Sequence, residues 1–185
     1  MQDANTKRLF ELIEERAFVR GEVKLASGAT SDFYIDGRMV AVSPESAHLI
    51  GEVFYDRVKD LEFDSVGGMA VGAVPLTASF VISCHTHGRD VEGFWVRAET
   101  KEHGMQKKIE GKFPENANVV ILEDVVTSGG SSLKAIDAIE AAGGRIVAIL
   151  ALVDREAGAR ELFAERGYKY DPIFTKQDFF ANAES

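Results

Sequence analysis

Two adjacent acidic residues and a run of small hydroxyl residues and glycines lie close together in the middle of this chain of 185 residues. Glu123 and Asp124 follow the apolar run 119–122, and after two more apolar residues the sequence continues as Thr-Ser-Gly-Gly-Ser-Ser over 127–132. A glycine- and serine-rich loop that opens a helix offers backbone N–H groups and a positive helix end to a phosphate. Carboxylates repel phosphate but accept hydrogen bonds from neutral hydroxyls, such as those of a ribose. The stretch therefore predicts a ribose 5-phosphate site.

This loop does not match the common nucleotide-binding patterns. It is neither G-x-G-x-x-G nor G-x-x-x-x-G-K-[ST], so it lacks the usual signatures of dinucleotide-binding and P-loop proteins. The alternative is an ordinary strand-to-helix turn with a serine N-cap. Such turns need only about 2–6 residues and rarely place paired acids beside several hydroxyls. We therefore favour the phosphate site.

The elements around the loop follow an alternating strand and helix pattern. Apolar runs without polar alternation are typical of buried parallel strands, and apolar residues at helical spacing follow them. The predicted strands are residues 63–68, 91–96, 119–122 and 145–153, with a last strand and tail at 170–180, and the predicted helices are 3–18, 44–58, 76–83, 133–141 and 158–166. We predict an α/β fold with a mostly parallel central sheet flanked by helices, whose ligands bind at the carboxyl ends of the strands.

Two regions interrupt this pattern. Arg20-Gly21 reads as the exit of the first helix, and short strand candidates at 22–25 and 33–35 predict a small cap, or hood, over the ligand end. Residues 97–118 are long, charged and without a clear apolar face, which is typical of functional lids and also of solvated loops. We expect a single domain over 1–185, in which residues 1–40 form the hood and residues 97–118 a mobile lid.

Composition narrows the class of protein. The formal net charge of −9 argues against nucleic acid or an anionic membrane as the main partner. No apolar run approaches the ~18 residues that a membrane-spanning helix needs. The N-terminus is charged and lacks the apolar core of a signal peptide, and the single Cys84 excludes an internal disulfide. We expect a cytoplasmic protein.

Two smaller groups of residues have competing interpretations. Cys84, His85 and His87 lie close in sequence, but C-H-x-H without further ligands is a weak metal signature, so we favour a helix end. Asp36 and Arg38 are equally compatible with a structural ion pair and with a role at the site.

Residues 119–132 resemble the phosphoribosyl pyrophosphate (PRPP) motif of the type I phosphoribosyltransferases, with a hydrophobic strand, Glu-Asp, two apolar residues and Thr-Ser-Gly-Gly-Ser. Further stretches resemble the orotate phosphoribosyltransferase branch of that family, in the same order along the chain. They are Leu25-Ala-Ser-Gly, Phe33-Tyr-Ile-Asp-Gly-Arg38, Gly67-Gly68 with Gly72-Ala-Val-Pro75, Val96-Arg97 with Lys101-Glu-His103-Gly104, and Val153-Asp-Arg155-Glu.

The resemblance implies a role for each matching residue. The acids would hold the ribose hydroxyls, the Thr-Ser-Gly-Gly-Ser loop the 5′-phosphate, and the small residues at 70–72 would lie beside the pyrophosphate. The implied PRPP-binding residues are Glu123, Asp124, Val125, Val126, Thr127, Ser128, Gly129, Gly130, Ser131, Ala70, Val71 and Gly72. The implied catalytic residues are Arg97, Lys101, His103 and Asp124, the first three in a lid that reaches the partner subunit of a homodimer. The implied orotate-binding residues are Thr127, Arg155, Phe33 and Tyr34.

The resemblance also implies the reaction, the transfer of the 5-phosphoribosyl group from PRPP to orotate in pyrimidine synthesis. Mg²⁺ would bind mainly through PRPP oxygens, without a dedicated set of protein ligands. One alternative is a phosphoribosyltransferase for a purine or another base, against which Arg155 argues because a cation suits the orotate carboxylate. The other is a PRPP-sensing regulator that has lost catalysis, for which Ala98 is the hint because the family often has lysine there.

Overall fold

The computed structural model describes residues 4–24, 30–98 and 108–181 of the chain. The predicted lid residues Lys101 and His103 lie outside these ranges. The elements, in chain order, are α1 (Ala4–Arg16), β1 (Phe18–Lys24), β2 (Thr30–Ile35), α2 (Gly37–Ala41), α3 (Pro44–Val58), β3 (Ser65–Met69), α4 (Ala73–Thr86), β4 (Glu92–Val96), β5 (Ile109–Gly111), β6 (Asn118–Val126), α5 (Gly130–Ala141), β7 (Arg145–Asp154), α6 (Ala159–Glu165), β8 (Tyr170–Thr175) and α7 (Lys176–Ala181).

Six strands of the described chain form one sheet in the order β5-β4-β3-β6-β7-β8. Every neighbouring pair is parallel except β4 and β5. Side chains of α1, α3 and α4 pack in one core cluster, and those of α5 and α6 in a second. The prediction of a mostly parallel sheet flanked by helices is therefore confirmed.

Strand β6 lies near the middle of the sheet because its side chains fill both cores. Val119 and Ile121 belong to one cluster and Val120 and Leu122 to the other, and all four are fully buried. Burial of each such side chain contributes about 1.5–3 kcal/mol, so this run fixes the position of the strand firmly. Its carboxyl end carries Glu123 and continues to Val126, four residues beyond the predicted end at Leu122.

The segment predicted to form the hood contains a separate antiparallel pair, β1 and β2. The prediction of a helix exit at Arg20-Gly21 is wrong, because both residues lie inside β1. Gly21 has a φ of 125°, and the pairing register shifts between Arg20 and Val23. An irregular strand with a glycine at positive φ has the local composition of a turn, which explains the error.

Other differences from the predicted elements concern short segments. The helices α2 and α7 and the strand β5 have three to six residues and were not predicted. Helix α4 begins at Ala73 and helix α5 at Gly130, each three residues before its predicted start. Within the described ranges, no helix has the length and apolar character needed to cross a bilayer.

Candidate functional site

A cleft of about 350 Å³ opens where β6 meets α5. It is lined by Glu123, residues 125–132 and Lys134. Gly129 adopts a φ of +81°, and a Cβ there would lie 2.9 Å from Cζ of Phe163, so the turn requires glycine. The first N–H groups of a helix have no partner within it, so those of residues 130–132 are available to an anion in the cleft. Thr127, Ser128 and Ser131 are exposed on its rim.

Glu123 forms the buried floor of this cleft and is 6% exposed. Burial, with a smaller effect of the Asp124 charge, raises the pKa of Glu123 to about 7, and a hydrogen bond from Ser132 opposes the rise. Its Oε1 has no hydrogen-bond partner among the described residues. A buried acceptor without a partner is unfavourable, so a ligand hydroxyl that donates to it would gain free energy on binding.

Asp124 lies on the opposite side of the strand, between two glycines. A Cβ on Gly72 would lie 2.6 Å from its Oδ1, and one on Gly37 would lie 2.9 Å from its Cβ. Its Oδ1 accepts a hydrogen bond of 2.8 Å from the backbone N–H of Val125. Burial raises the pKa of Asp124, and this hydrogen bond opposes the rise. The carboxylate is thus held between the start of α2 and the loop that follows β3.

That loop contains the residues predicted to lie beside pyrophosphate. The N–H of Ala70 donates to the carbonyl of Val96 at 2.8 Å, which ties the loop to the end of β4. The Ala70–Val71 peptide bond is cis. Val71 is 74% exposed, and Gly72 contacts Asp124. Residues 70–72 therefore border the acid pair at the same edge of the sheet.

Arg97 begins the predicted lid at the end of β4. Its N–H donates to the carbonyl of Lys108 at 2.9 Å, and its Nη1 lies 3.4 Å from Oε1 of Glu110. Both side chains of this pair are about one-third exposed, so the ion pair contributes little to stability and can exchange partners. Ala98 follows on the surface.

Arg155 follows β7, and Phe33 of the hood lies over it. The N–H of Arg155 donates to the carbonyl of Val126 at 2.9 Å, which places it beside the loop that starts at Thr127. Its Cζ lies 4.6 Å from the centroid of the Phe33 ring, a cation–π distance. Phe33 is 2% exposed and Tyr34 is half-buried. Arg155 and Phe33, two of the residues predicted to bind a base, thus meet at the carboxyl end of β7, beside the loop that starts at Thr127, whereas Tyr34 interacts with Asp36 and Arg38.

The residues with competing interpretations have ordinary structural contacts. Asp36 caps α2 and pairs with Arg38, whose Nε and Nη2 each lie 2.8 Å from a carboxylate oxygen. The Arg38 guanidinium holds the pKa of Asp36 below its usual range. His85 lies in the last turn of α4 and His87 caps that helix, which confirms the predicted helix end. Nε2 of His87 donates to Oε2 of Glu52 at 2.9 Å, and the ring stacks on Tyr55.

The structure also shows contacts at the site that the sequence did not indicate. Ser132 contacts Glu123, Gly37 contacts Asp124, and Lys176 lies 5.0 Å from the Phe33 ring. Ser132 and Gly37 lie within predicted motifs but had no role of their own, and Lys176 lies in no motif, because only the register of neighbouring elements reveals these contacts. Among the described residues, no group of three or more His, Cys, Asp or Glu side chains is arranged to hold a metal ion.

The chain as a whole matches a known family. A model of the phosphoribosyl transferase domain matches residues 39–171. The chain is 39% identical over 182 residues to the orotate phosphoribosyltransferase of Bradyrhizobium diazoefficiens, covering 96% of this chain and 97% of that one. It is 44% identical over 177 residues to the orotate phosphoribosyltransferase of Rhodopirellula baltica, covering 92% of each.

Solved structures agree with these relatives. The orotate phosphoribosyltransferase of Mycobacterium tuberculosis H37Rv, in complex with Fe(III) dicitrate, superposes with a TM-score of 0.84 at 33% identity, covering 95% of this chain and 98% of that one. The PRPP complex of the same enzyme gives a TM-score of 0.80 at 30% identity, with the same coverage. From the strand-end acids, the glycine loop and these matches together, the chain belongs to the phosphoribosyltransferase family and, within it, to the orotate phosphoribosyltransferases.

Proposed function

We infer that this protein is a glycosyltransferase that transfers the 5-phosphoribosyl group of PRPP to orotate, giving orotidine 5′-monophosphate and pyrophosphate. The main support for this function is that the carboxyl ends of three strands lie together at one edge of the sheet. The loop after β3 borders Asp124, β6 ends in the acid pair and the glycine loop, and β7 ends at Arg155 beneath Phe33. Such an edge is where α/β sheets bind their ligands.

In this proposal the sugar phosphate occupies the cleft between β6 and α5. The backbone N–H groups of residues 130–132 and the hydroxyls of Thr127, Ser128 and Ser131 bind the 5′-phosphate, which benefits from the positive end of the α5 dipole. Glu123 and Asp124 accept hydrogen bonds from the ribose hydroxyls. The unpartnered Oε1 of Glu123 supports this role, because a hydroxyl donor would satisfy it.

The chemistry requires charge stabilisation at the leaving group. Displacement of pyrophosphate builds negative charge on its oxygens and positive charge on the ribose, and preorganised cations on the leaving group supply the largest expected catalytic effect. Arg97 would exchange Glu110 for the pyrophosphate, together with Lys101 and His103 of the lid. A closing lid also excludes water, which would otherwise hydrolyse the activated sugar.

Mg²⁺ is part of the proposal and would bind mainly through PRPP oxygens. Glu123 and Asp124 supply hard oxygen atoms at the edge where a PRPP-bound cation would lie, which fits this ion. When bound, Mg²⁺ neutralises charge on the pyrophosphate.

A homodimer in the cytoplasm completes the proposal. Four apolar side chains on or beside α2 and α4 are more than half exposed. They are Met39 on α2, Val42 just after it, Val71 before α4 and Ile82 on α4. Exposed apolar residues on neighbouring segments are typical of a subunit interface. Sedimentation velocity tests this part, and a monomer at micromolar concentration would contradict it.

The activity is tested by following orotate absorbance in the presence of PRPP and Mg²⁺, with adenine, hypoxanthine and uracil as alternative bases. We expect orotate to be consumed and the other bases to remain. Asp124→Asn is the matched control, because it keeps the size of the side chain and removes its charge. If folded protein binds PRPP but does not consume orotate, the result would favour a PRPP-sensing regulator without catalysis. Consumption of another base would favour a phosphoribosyltransferase for that base.

A further inference from the structure

Strand register places a second cation beside Arg155. Strands β7 and β8 are parallel, and Asp154 pairs with Thr175 at their carboxyl ends. Arg155 and Lys176 are therefore the first residues beyond the paired ends of neighbouring strands. Because parallel strands end at the same edge of a sheet, both side chains start from the edge at which the base is proposed to bind.

Hydrogen bonds hold these two backbone positions together. The N–H of Gln177 donates to Oε2 of Glu156 at 3.0 Å, so the residue after Arg155 is tied to the residue after Lys176. The N–H of Glu156 also donates to Oδ1 of Asp154 at 2.8 Å. These bonds fix the backbone on both sides, and Glu156 is engaged by α7.

Both cations lie at the same aromatic ring. The Cζ of Arg155 is 4.6 Å and the Nζ of Lys176 is 5.0 Å from the centroid of Phe33, which is 2% exposed. Lys176 also lies 3.4 Å from Oδ1 of Asp32, whose side chain is 64% exposed. An ion pair this open to solvent holds a flexible lysine weakly, so the ammonium can exchange Asp32 for a stronger anion nearby.

We propose that Lys176 is a further specificity-determining residue, which binds the carboxylate of the pyrimidine base together with Arg155. The proposal rests on the proposed function, since the substrate that carries this carboxylate is orotate. Arg155 supplies a planar fork that matches a carboxylate, and Lys176 supplies a point charge on a movable stem. Two cations at one end of the base site favour a base with an acidic substituent and disfavour the same base without it.

The experiment compares two nucleotides that differ only in this carboxylate. Orotidine 5′-monophosphate and uridine 5′-monophosphate are titrated into each protein, and the ratio of their dissociation constants reports the carboxylate contribution. The variants are Lys176→Met, which keeps the apolar stem against Phe33, and Lys176→Arg, which keeps the charge. Asp32→Asn is the matched control, because it breaks the same ion pair from the other side. Arg155→Ala serves as the positive control.

We expect Lys176→Met to reduce the preference for orotidine 5′-monophosphate about tenfold, as loss of a charge-assisted hydrogen bond should. Lys176→Arg and Asp32→Asn should keep the preference or raise it. The inference is overturned if Lys176→Met leaves the ratio unchanged, if it weakens both nucleotides equally, if Asp32→Asn lowers the ratio to the same extent, or if the wild-type protein does not prefer the carboxylated nucleotide.

These binding data are independent of turnover. If the wild-type protein consumes orotate and Lys176→Met leaves the ratio of dissociation constants unchanged, the role of Lys176 is refuted and the proposed reaction is not. A wild-type protein that does not consume orotate, but loses its nucleotide preference in Lys176→Met, supports the role of Lys176 and refutes the proposed reaction.

Discussion

At the scale of single residues, the two adjacent acidic side chains lie in different environments. Glu123 is buried beneath the cleft with one oxygen lacking a partner among the described residues, whereas Asp124 is wedged between Gly37 and Gly72. A carboxylate that is buried without a cation favours its neutral form in the free protein. Ionisation of Glu123 thus lowers the unfolding free energy of the free protein, and a ligand hydroxyl that donates to the carboxylate would offset this loss.

This loss predicts a specific pH dependence of stability. Because the pKa of Glu123 is raised to about 7 in the folded protein, the folded state binds more protons than the unfolded state between the ordinary pKa of a glutamate and that value. Protonated Glu123 therefore contributes to the unfolding free energy fully below the unfolded pKa, and this contribution is lost as the pH rises through about 7. Relative to wild type, Glu123→Gln should therefore gain up to about 3 kcal/mol in unfolding free energy between pH 5 and pH 8.

Urea unfolding of both proteins across this pH range measures the effect. The difference between the two proteins is the informative quantity, because the other titrating groups are common to both. Parallel stability profiles would show that Glu123 titrates normally and that the cleft does not suppress its ionisation.

At the scale of elements, the turn between β6 and α5 depends on one glycine. Gly129→Ala places a side chain at a φ of +81° with its Cβ 2.9 Å from Cζ of Phe163. We expect a loss of roughly 1–3 kcal/mol in unfolding free energy from the strained backbone and the clash, together with weaker PRPP binding because the loop must shift.

The neighbouring glycine provides the control for stability. A Cβ on Gly130 would meet only Oγ of Ser128 at 3.9 Å, and alanine is the better helix former by up to about 1 kcal/mol. Gly130→Ala should therefore keep or raise the melting temperature while Gly129→Ala lowers it. Equal losses in the two variants would contradict the assignment of the strain to position 129.

The same elements show how far the sequence predicts this molecule. The interior strands are apolar runs, such as 119–122, whose burial dictates their structure, and they were predicted correctly. The acid pair and the glycine loop follow from that strand because they come next in the chain. Strand β5 and helix α7 are too short to show a periodic pattern, so tertiary contacts decide their structure. Lys176 remained unnoticed because its proximity to Arg155 depends on the register of β7 and β8.

At the scale of the whole molecule, the hood shares its core with the α/β body. Phe33 and Ile35 of the hood belong to the same buried cluster as Phe54 of α3 and Phe174 of β8. Phe18 of β1 stacks on Phe179 of α7 with ring centroids 5.2 Å apart. A hood that contributes to the main core should not unfold separately from it.

We therefore predict one cooperative unfolding transition. Trp95, the single tryptophan of the sequence, lies on β4 and reports the far side of the sheet by fluorescence, whereas far-ultraviolet circular dichroism reports all elements. Both signals should give the same midpoint in urea at a fixed protein concentration. Two separated midpoints would indicate that part of the chain is an independent unit.

The two edge strands of the sheet have a consequence for solubility. An exposed edge offers unpaired backbone groups to a strand from another molecule, which is a route to aggregation. Within the described ranges, strand β5 offers three residues at one edge, where Gly111 adopts a φ of +98° and the charged Lys112 follows. Strand β8 at the other edge contains Pro172, which has no N–H to donate to an added strand. Both ends of the sheet thus discourage growth into a fibre, even though its interior strands are among the most hydrophobic stretches of the chain.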